Sequence, residues 1–193
     1  MDVFEAITTR ASTTALTEPG PSDAQIAALL HARACAPDHG RRRPWRFLVV
    51  RGKARDELGD LMAAATRGRQ PEASEDMLER ERRKPLRAPV IVIVAVVLTL
   101  QSKIPEIEQM LSAGAAAQNI LLAAHGFGFG AIWRTGAPAY DPEVANGLGL
   151  PEGARIVGFL YIGSAVSSPI VRRPATEANA MEWKKGLPQN LLP

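Results

Sequence analysis

The chain has 193 residues, of which 46% are hydrophobic and 22% are charged, a composition ordinary for a soluble globular protein. The formal net charge is only +3. The sequence also lacks zinc-finger spacing, a basic aromatic RNA-binding pattern and a clear helix-turn-helix, which argues against nucleic acid as a partner. No Pro-, Gly- or Ser-rich linker divides the chain, so we expect a single domain over 1–193 with an extended tail over about 164–193.

The longest apolar stretch, 88–100, is interrupted by Pro89 and Thr99 and is shorter than the roughly 20 residues that a membrane helix needs. The N-terminus lacks the charged-then-apolar pattern of a signal peptide. A single cysteine, Cys35, cannot form an internal disulfide. We therefore expect a cytoplasmic protein with no membrane partner. We interpret Cys35 as a small buried side chain rather than a nucleophile, because no activating group is close in sequence.

Two helices are predicted at the start of the chain. Apolar residues recur at helical spacing over about 2–9, so a short amphipathic helix should end beside Arg10. Ser22 and Gln25 have the spacing of a capping box, and the apolar face that follows predicts a helix running into Cys35.

Turns and strands alternate with helices in the rest of the chain. Pro37 ends the second helix, and a turn over 38–40 leads to a strand over 45–50. The later predicted elements are a helix over 53–67, a highly charged helical segment over 71–84, a buried strand over 90–98, a long helix from 104 to Gly126, a strand through Ile132 and Trp133, a short helix begun by Asp141 and Pro142, and a strand over 154–163.

The run 126–130 is rich in glycine, but a dinucleotide-binding fingerprint requires a strand, a glycine turn and then a helix. Here a helix precedes the glycines and a strand follows them. We therefore predict that Gly126 is the C′ residue that ends the long helix, and that the chain has no Rossmann domain.

Small residues over 112–117 make the middle of the long helix slim. Such a helix can approach its neighbours closely, either in the core of one chain or at the centre of a dimer. The sequence alone leaves both alternatives open.

Basic residues are grouped in three places, at 41–43, 80–87 and 172–173. Such clusters can attract anionic ligands such as a nucleotide phosphate, although a solvated basic surface is the common alternative. Arg10 and Ser12 can likewise be interpreted as an anion site or as solvated side chains. A guanidinium and a hydroxyl match phosphate oxygens, but an arginine at the end of a helix is often only solvated.

Several short motifs together resemble the FMN-dependent nitroreductase family, in particular its short single-domain members. The motifs are Arg-x-Ser at 10–12 after the first helix, Ala-Pro at 36–37 after the second, Pro-Trp-x-Phe at 44–47, Phe-Gly at 127–128, and the segments 130–136 and 156–163. The resemblance covers roughly residues 1 to 163.

The resemblance implies an α+β fold, a nitroreductase-like sandwich with a central, mostly antiparallel sheet flanked by helices in an intertwined homodimer. It implies a flavoprotein oxidoreductase with FMN at the subunit interface and NADH or NADPH as electron donor. The acceptor would be a small nitroaromatic or related molecule, reduced by a ping-pong mechanism. No side chain is assigned as catalytic, and no metal is expected, because the histidines lack ligand-spaced companions.

The resemblance also implies which residues contact the cofactors. For FMN these are Arg10, Ala11 and Ser12 at the phosphate and ring edge, Cys35 and His39 from the second helix and its turn, with His39 from the partner subunit, and Trp133, Arg134 and Thr135 at the reactive side. For the nicotinamide cofactor they are Ala123, Ala124, His125, Gly126, Phe127 and Gly128.

The chain departs from the family pattern at two places. Many relatives have a second basic residue after Arg-x-Ser, where this chain has Thr13-Thr14, and a Ser-x-x-Asn turn where it has Asp38-His39-Gly40. Alternative functions are a related flavin dehydrogenase or dehalogenase, and a non-enzymatic module that binds flavin or another anion.

Overall fold

A computed structural model describes residues 1–99, 102–167, 181–182 and 189–190. Its helices are α1 (Val3–Thr9), α2 (Asp23–Arg33), α3 (Ala54–Arg69), α4 (Glu75–Arg82), α5 (Glu106–Gly126) and α6 (Pro142–Gly147). Its strands are β1 (Leu16–Thr17), β2 (Trp45–Arg51), β3 (Val90–Val96), β4 (Gly130–Arg134), β5 (Arg155–Ala165), β6 (Met181–Glu182) and β7 (Gln189–Asn190). Short 3₁₀ turns cover His39–Arg41, Lys84–Arg87 and Ala137–Tyr140.

Strands β1 to β5 form one sheet in which β3 lies between β2 and β5. All ladders between these strands are antiparallel, and β5 also pairs with β1 and β4. Every residue of β3 is buried, as its continuous run of β-branched residues predicts. The expected antiparallel sheet flanked by helices is confirmed. Strands β6 and β7 pair only with each other.

Successive residues of β3 point to opposite faces of the sheet. Val92 and Val94 lie in one apolar core with residues of α2 and α5. Ile91 and Ile93 lie in a second core with residues of α3 and α6. The sheet is therefore the middle layer of a three-layer sandwich.

Small side chains let α5 lie close to the sheet. Ala113, Ala116 and Ala117 are each 0% exposed and pack in the same core as Val92. Packing within one chain therefore accounts for these three alanines of the slim segment. The opposite side of α5, which carries Ile107, faces outwards.

The prediction that Gly126 is the C′ residue of α5 was wrong by two positions. The helix includes Gly126, and the left-handed residue is Gly128, with φ +83°. The amide of Phe129 donates to the carbonyl of Ala124, and the amide of Gly128 donates to that of His125, both over 2.9 Å. This is the double hydrogen bond of a Schellman motif, which satisfies carbonyls at the helix end.

We predict that Gly128→Ala lowers the free energy of unfolding by about 1 kcal/mol, because a left-handed backbone penalises a Cβ. Gly126→Ala is the matched control. It lies in helical backbone with nothing within 4 Å of an added Cβ, so it should be neutral or slightly stabilising. Urea denaturation of both variants measures the difference, and equal stability would contradict this account of the helix end.

Candidate functional site

Arg10 lies at the C-terminal end of α1 and lines a recess of about 280 Å³. Ala11, His125 and Gly128 line the same recess. Within the described part of the chain, the Arg10 guanidinium makes no ion pair or side-chain hydrogen bond. The structure thus brings residues of the predicted phosphate-binding cluster together with residues of the predicted nicotinamide segment.

A hydrogen bond between the ends of two helices fixes this arrangement. Thr9 Oγ1 lies 2.8 Å from His125 Nε2, so the last turn of α1 is tied to the last turn of α5. His125 is therefore occupied in positioning Arg10, in addition to lying near the negative end of the helix dipole. The threonine partner, 116 positions earlier in the chain, could not be predicted from the sequence.

Residues 12–13 run beside the free edge of β4. Ser12 forms a parallel bridge with Ala131, and the Thr13 amide donates to the Ala131 carbonyl over 3.0 Å. Main-chain groups alternate in direction along an antiparallel strand, so those of Trp133 face the same edge as those of Ala131. Of the predicted flavin contacts in β4, the main chain of Trp133 therefore faces away from β5, whereas that of Arg134 faces β5.

The side chain of Trp133 has a structural role. Its indole Nε1 donates to the carbonyl of Val157 over 3.2 Å. The ring lies against Gly158 on one side, and its tip approaches Gly114 of α5. The indole N–H of Trp133 is therefore already paired and does not serve as a donor to a ligand.

Arg134 directs its guanidinium to the other face of the sheet, since neighbouring residues of a strand alternate. It lines a second recess, which Thr135 and Tyr161 also line. The structure therefore does not bring the Arg134 guanidinium to the Arg10 recess.

His39 lies at the opposite end of α5 from Arg10, whereas Cys35 follows Ala32, whose carbonyl accepts from Asn119 Nδ2 in the second half of α5 over 3.2 Å. His39 Nδ1 donates to Glu108 Oε2 over 2.6 Å, and the His39 side chain is 67% exposed. Glu108 and His125 are 17 positions apart on α5, which corresponds to about 25 Å along the helix. His39 of the same chain therefore does not reach the Arg10 recess, and among the described residues that line this recess Cys35 is not included.

Our interpretation of Cys35 as a buried side chain was wrong, because the structure places it exposed beyond the end of α2. The helix ends at Arg33, and the two residues that follow form a turn. The Arg172–Arg173 cluster lies outside the described residues.

A buried hydroxyl anchors the turn between Cys35 and His39. Ser112 Oγ accepts from Trp45 Nε1 over 3.1 Å and donates to the carbonyl of Pro37 over 2.7 Å. Ser112 is 6% exposed. Its position on α5 was visible in the sequence, but both partners are more than 60 residues away.

We predict that Ser112→Ala lowers the free energy of unfolding by about 1–3 kcal/mol, because it leaves the buried indole N–H of Trp45 without a partner and removes the hydrogen bond to the Pro37 carbonyl. The matched control is Ser164→Ala, which removes a hydroxyl that donates to the carbonyl of Pro19 over 2.8 Å at an exposed position. This control should cost well under 1 kcal/mol. Chemical denaturation checks both, and equal losses would contradict the anchoring role.

Among residues 1–99 and 102–167, no group of three or more His, Cys, Asp or Glu side chains could hold a metal ion. No helix in the described part of the chain is long and apolar enough to cross a membrane.

Residues 7–164 match the family model described as "Nitroreductase family". The chain is 38% identical over 165 residues to an Escherichia coli (strain K12) protein named "Putative NAD(P)H nitroreductase YdjA", covering 85% of this chain and 88% of that one. It is also similar to a nitroreductase-like family protein from Bacillus cereus, with a TM-score of 0.81, 26% identity, and coverage of 96% of this chain and 97% of that chain.

A protein from Desulfovibrio desulfuricans solved in complex with FMN has a TM-score of 0.71 and 27% identity, covering 95% of this chain and 99% of that chain. The matched residues include the Arg10 cluster, the β4 edge and the turn that carries His39. The chain belongs to the nitroreductase family.

Proposed function

We propose that the chain is an FMN-dependent oxidoreductase that takes hydride from NADH or NADPH and reduces a small nitroaromatic or related acceptor by a ping-pong mechanism. The observation that carries this proposal is the Arg10 guanidinium, which makes no ion pair within the described residues and lines a recess at the start of β4. The FMN-bound Desulfovibrio structure and the NAD(P)H nitroreductase names of the relatives support it.

The donor groups at this site fit FMN. A guanidinium presents a fork of N–H groups that matches phosphate oxygens, and Ser12 adds an exposed hydroxyl. From Gly130 to Arg134, the β4 edge spans about 13 Å. An elongated ligand along this edge would have its phosphate at Arg10 and its ring beside the main chain of Trp133 and Thr135.

When bound, FMN supplies the hydride-accepting chemistry itself, so the protein mainly needs to position the flavin ring and to stabilise its charge electrostatically. Arg10 would hold the phosphate and so fix the ring beside β4. The main-chain N–H of Trp133 at this edge would be a donor for negative charge that develops on the ring. The recess is open, which lets donor and acceptor use the same face in turn.

Two exposed apolar surfaces support a homodimer. In the single chain, the exposed apolar side chains of α1 and α5 are Val3 (66%), Phe4 (77%), Ile7 (56%), Ile107 (62%) and Leu111 (64%). Helix α1 has no buried residue, although its apolar positions recur at helical spacing. Exposed apolar side chains grouped in this way on two helices are typical of a protein interface.

A two-fold dimer would also complete the site. If two α5 helices pack antiparallel about a two-fold axis, the N-terminal end of one lies beside the C-terminal end of the other. The His39 turn lies at the N-terminal end of α5, and the Arg10 recess lies at its C-terminal end. Cys35 and His39 of the partner subunit would then reach the FMN held by Arg10.

Co-expression of two defective chains tests the shared site. A mixed dimer contains one Arg10→Ala chain and one His39→Ala chain. If each site is built from both subunits, one site carries both substitutions and the other carries neither. We expect mixed dimers to regain about half of the wild-type activity per dimer, whereas each homodimer stays impaired. If every site lay within one chain, mixing would restore nothing.

Initial rates at several donor and acceptor concentrations test the reaction. A ping-pong mechanism gives parallel double-reciprocal lines, and intersecting lines would contradict it. Comparison of nitroaromatic, enone and halogenated acceptors separates a nitroreductase from a flavin dehydrogenase or dehalogenase. A non-enzymatic module would bind FMN but would be reduced by NAD(P)H no faster than free flavin.

A further inference from the structure

The recess that contains Arg134 differs in character from the Arg10 recess. It has a volume of about 340 Å³ and opens on the α3 side of the sheet. Its lining combines the 3₁₀ turn Lys84–Arg87, the end of β4 and the middle of β5. It therefore includes part of the basic cluster 80–87, for which neither the fold nor the proposed FMN site gives a reason.

Tyr161 lies in the wall of this recess and is 3% exposed. Its hydroxyl makes no hydrogen bond within the described part of the chain. Burial, the largest effect, raises the pKa of Tyr161 to about 12, although the nearby charges of Arg87 and Arg134 act in the opposite direction. The phenol is thus protonated at neutral pH and is a free donor beside two guanidiniums.

The charges around the recess are not balanced. Lys84 is paired with Glu81 over 2.5 Å, so this pair contributes little net charge, although the Glu81 carboxylate lies near the phenol. Arg87 and Arg134 make no ion pair within the residues that the structure describes. Two positive charges that make no ion pair within the described residues therefore share a recess with one phenol donor, and the nearby Glu81 carboxylate is already paired with Lys84.

We propose that this recess binds an anionic group, a carboxylate or a phosphate, through Arg87, Arg134 and the hydroxyl of Tyr161. Guanidiniums form strong, directional pairs with both kinds of anion, and the phenol supplies a third donor. Arg87, Arg134 and Tyr161 line one recess, whereas the charges of a solvated basic surface need not converge on a shared site.

The position of the recess indicates that the anion belongs to one of the two reactants. Thr135 and Gly136 line the recess and belong to the segment proposed to lie beside the FMN ring. Resting on that proposed function, the anion belongs to a reactant: the carboxylate of an acidic acceptor, or a phosphate of the nicotinamide donor. The recess then makes the enzyme selective for reactants that carry an anionic group.

Fluorine NMR tests anion binding directly, because the chain has only two tyrosines, Tyr140 and Tyr161. FMN-reconstituted protein labelled with 3-fluorotyrosine is titrated with benzoate and with inorganic phosphate, and Tyr161→Phe assigns the signals. We expect a saturable shift of the Tyr161 signal with at least one anion. The signal of Tyr140, which is 76% exposed, should not follow that saturation. The absence of a saturable Tyr161 shift with both anions would overturn the proposal.

Matched variants locate the binding site. Arg87→Gln and Arg134→Gln should each weaken binding of the anion about tenfold, since each removes a charge-assisted hydrogen bond. Arg80→Gln removes the same charge from an exposed residue of α4 outside the recess and should leave the affinity unchanged. Equal weakening by all three variants would show a general charge effect and would overturn the site.

Kinetics identify which reactant carries the anion. If it is the acceptor, Arg87→Gln should lower kcat/KM about tenfold for 4-nitrobenzoate but not for 4-nitrobenzyl alcohol. If it is a donor phosphate, the loss should appear in kcat/KM for NADPH or NADH with both acceptors. The absence of a selective loss would overturn the assignment to a reactant.

FMN absorbance separates the anion-site proposal from the proposed function. A Tyr161 shift in protein that binds no FMN supports the anion site and contradicts the proposed function.

Discussion

Replacement of Arg10 with alanine is expected to weaken FMN binding about tenfold to hundredfold. Hydrogen bonds to charged groups are worth about 1.5–3 kcal/mol, and each 1.4 kcal/mol is a factor of ten in affinity. The Arg10 guanidinium makes no ion pair within the described residues, so its loss should not reduce stability by breaking such a contact. Quenching of FMN fluorescence on titration with protein measures the effect.

Two further variants make this test specific. Arg80→Ala removes an exposed arginine from α4 and should leave FMN affinity unchanged. Arg10→Lys keeps the charge but loses the guanidinium fork, so it should recover only part of the affinity. Wild-type affinity of Arg10→Ala would show that the phosphate is held elsewhere.

Gly158→Ala is expected to lower the free energy of unfolding by about 3 kcal/mol, at the upper end of the usual cost of overpacking. An added Cβ would lie 2.0 Å from Nε1 of Trp133 and 3.1 Å from the carbonyl oxygen of Arg134. The variant should also weaken FMN binding, since displacement of the indole shifts β4.

Gly68→Ala is the matched control for this substitution. It lies in α3 and nothing lies within 4 Å of an added Cβ, so it should stabilise the protein by about 0.5–1 kcal/mol. Thermal and urea denaturation compare the two variants. If Gly158→Ala were as stable as the wild type, the indole of Trp133 would not occupy the position that the structure gives it.

Elements whose signals are local could be predicted from the sequence. Ser22 and Gln25 form the predicted capping box, and Asp141 accepts from the Glu143 amide at the start of α6. The β-branched run of β3 is buried throughout, as expected of a central strand. In each case, residues within one or two turns of each other decide the structure.

The ends of helices were less predictable, because a glycine at a helix end is recognised by its backbone conformation. Gly126 and Gly128 are the same residue type, so residue identity does not distinguish their roles. The hydrogen bond from the amide of Phe129 to the carbonyl of Ala124 does so. The exposure of Cys35 similarly depends on where α2 ends.

Contacts between distant segments could not be predicted from spacing. His39 and Glu108 are 69 positions apart, and the recess around Tyr161 combines residues of α3, the turn Lys84–Arg87, β4 and β5. Resemblance to the family supplied the residues of the proposed FMN site. Only the fold shows that Arg10 and His39 lie at opposite ends of α5, and that the Arg134 guanidinium faces away from the Arg10 recess.

The visible absorbance spectrum of the purified protein, reconstituted with FMN and then mixed with NADH or NADPH without oxygen, tests the central claim most directly. We predict one FMN per chain in a dimer, with flavin bands that bleach when the donor is added. A colourless protein that takes up no FMN would contradict the proposed cofactor. Bound FMN that stays oxidised with both donors would contradict the proposed reaction.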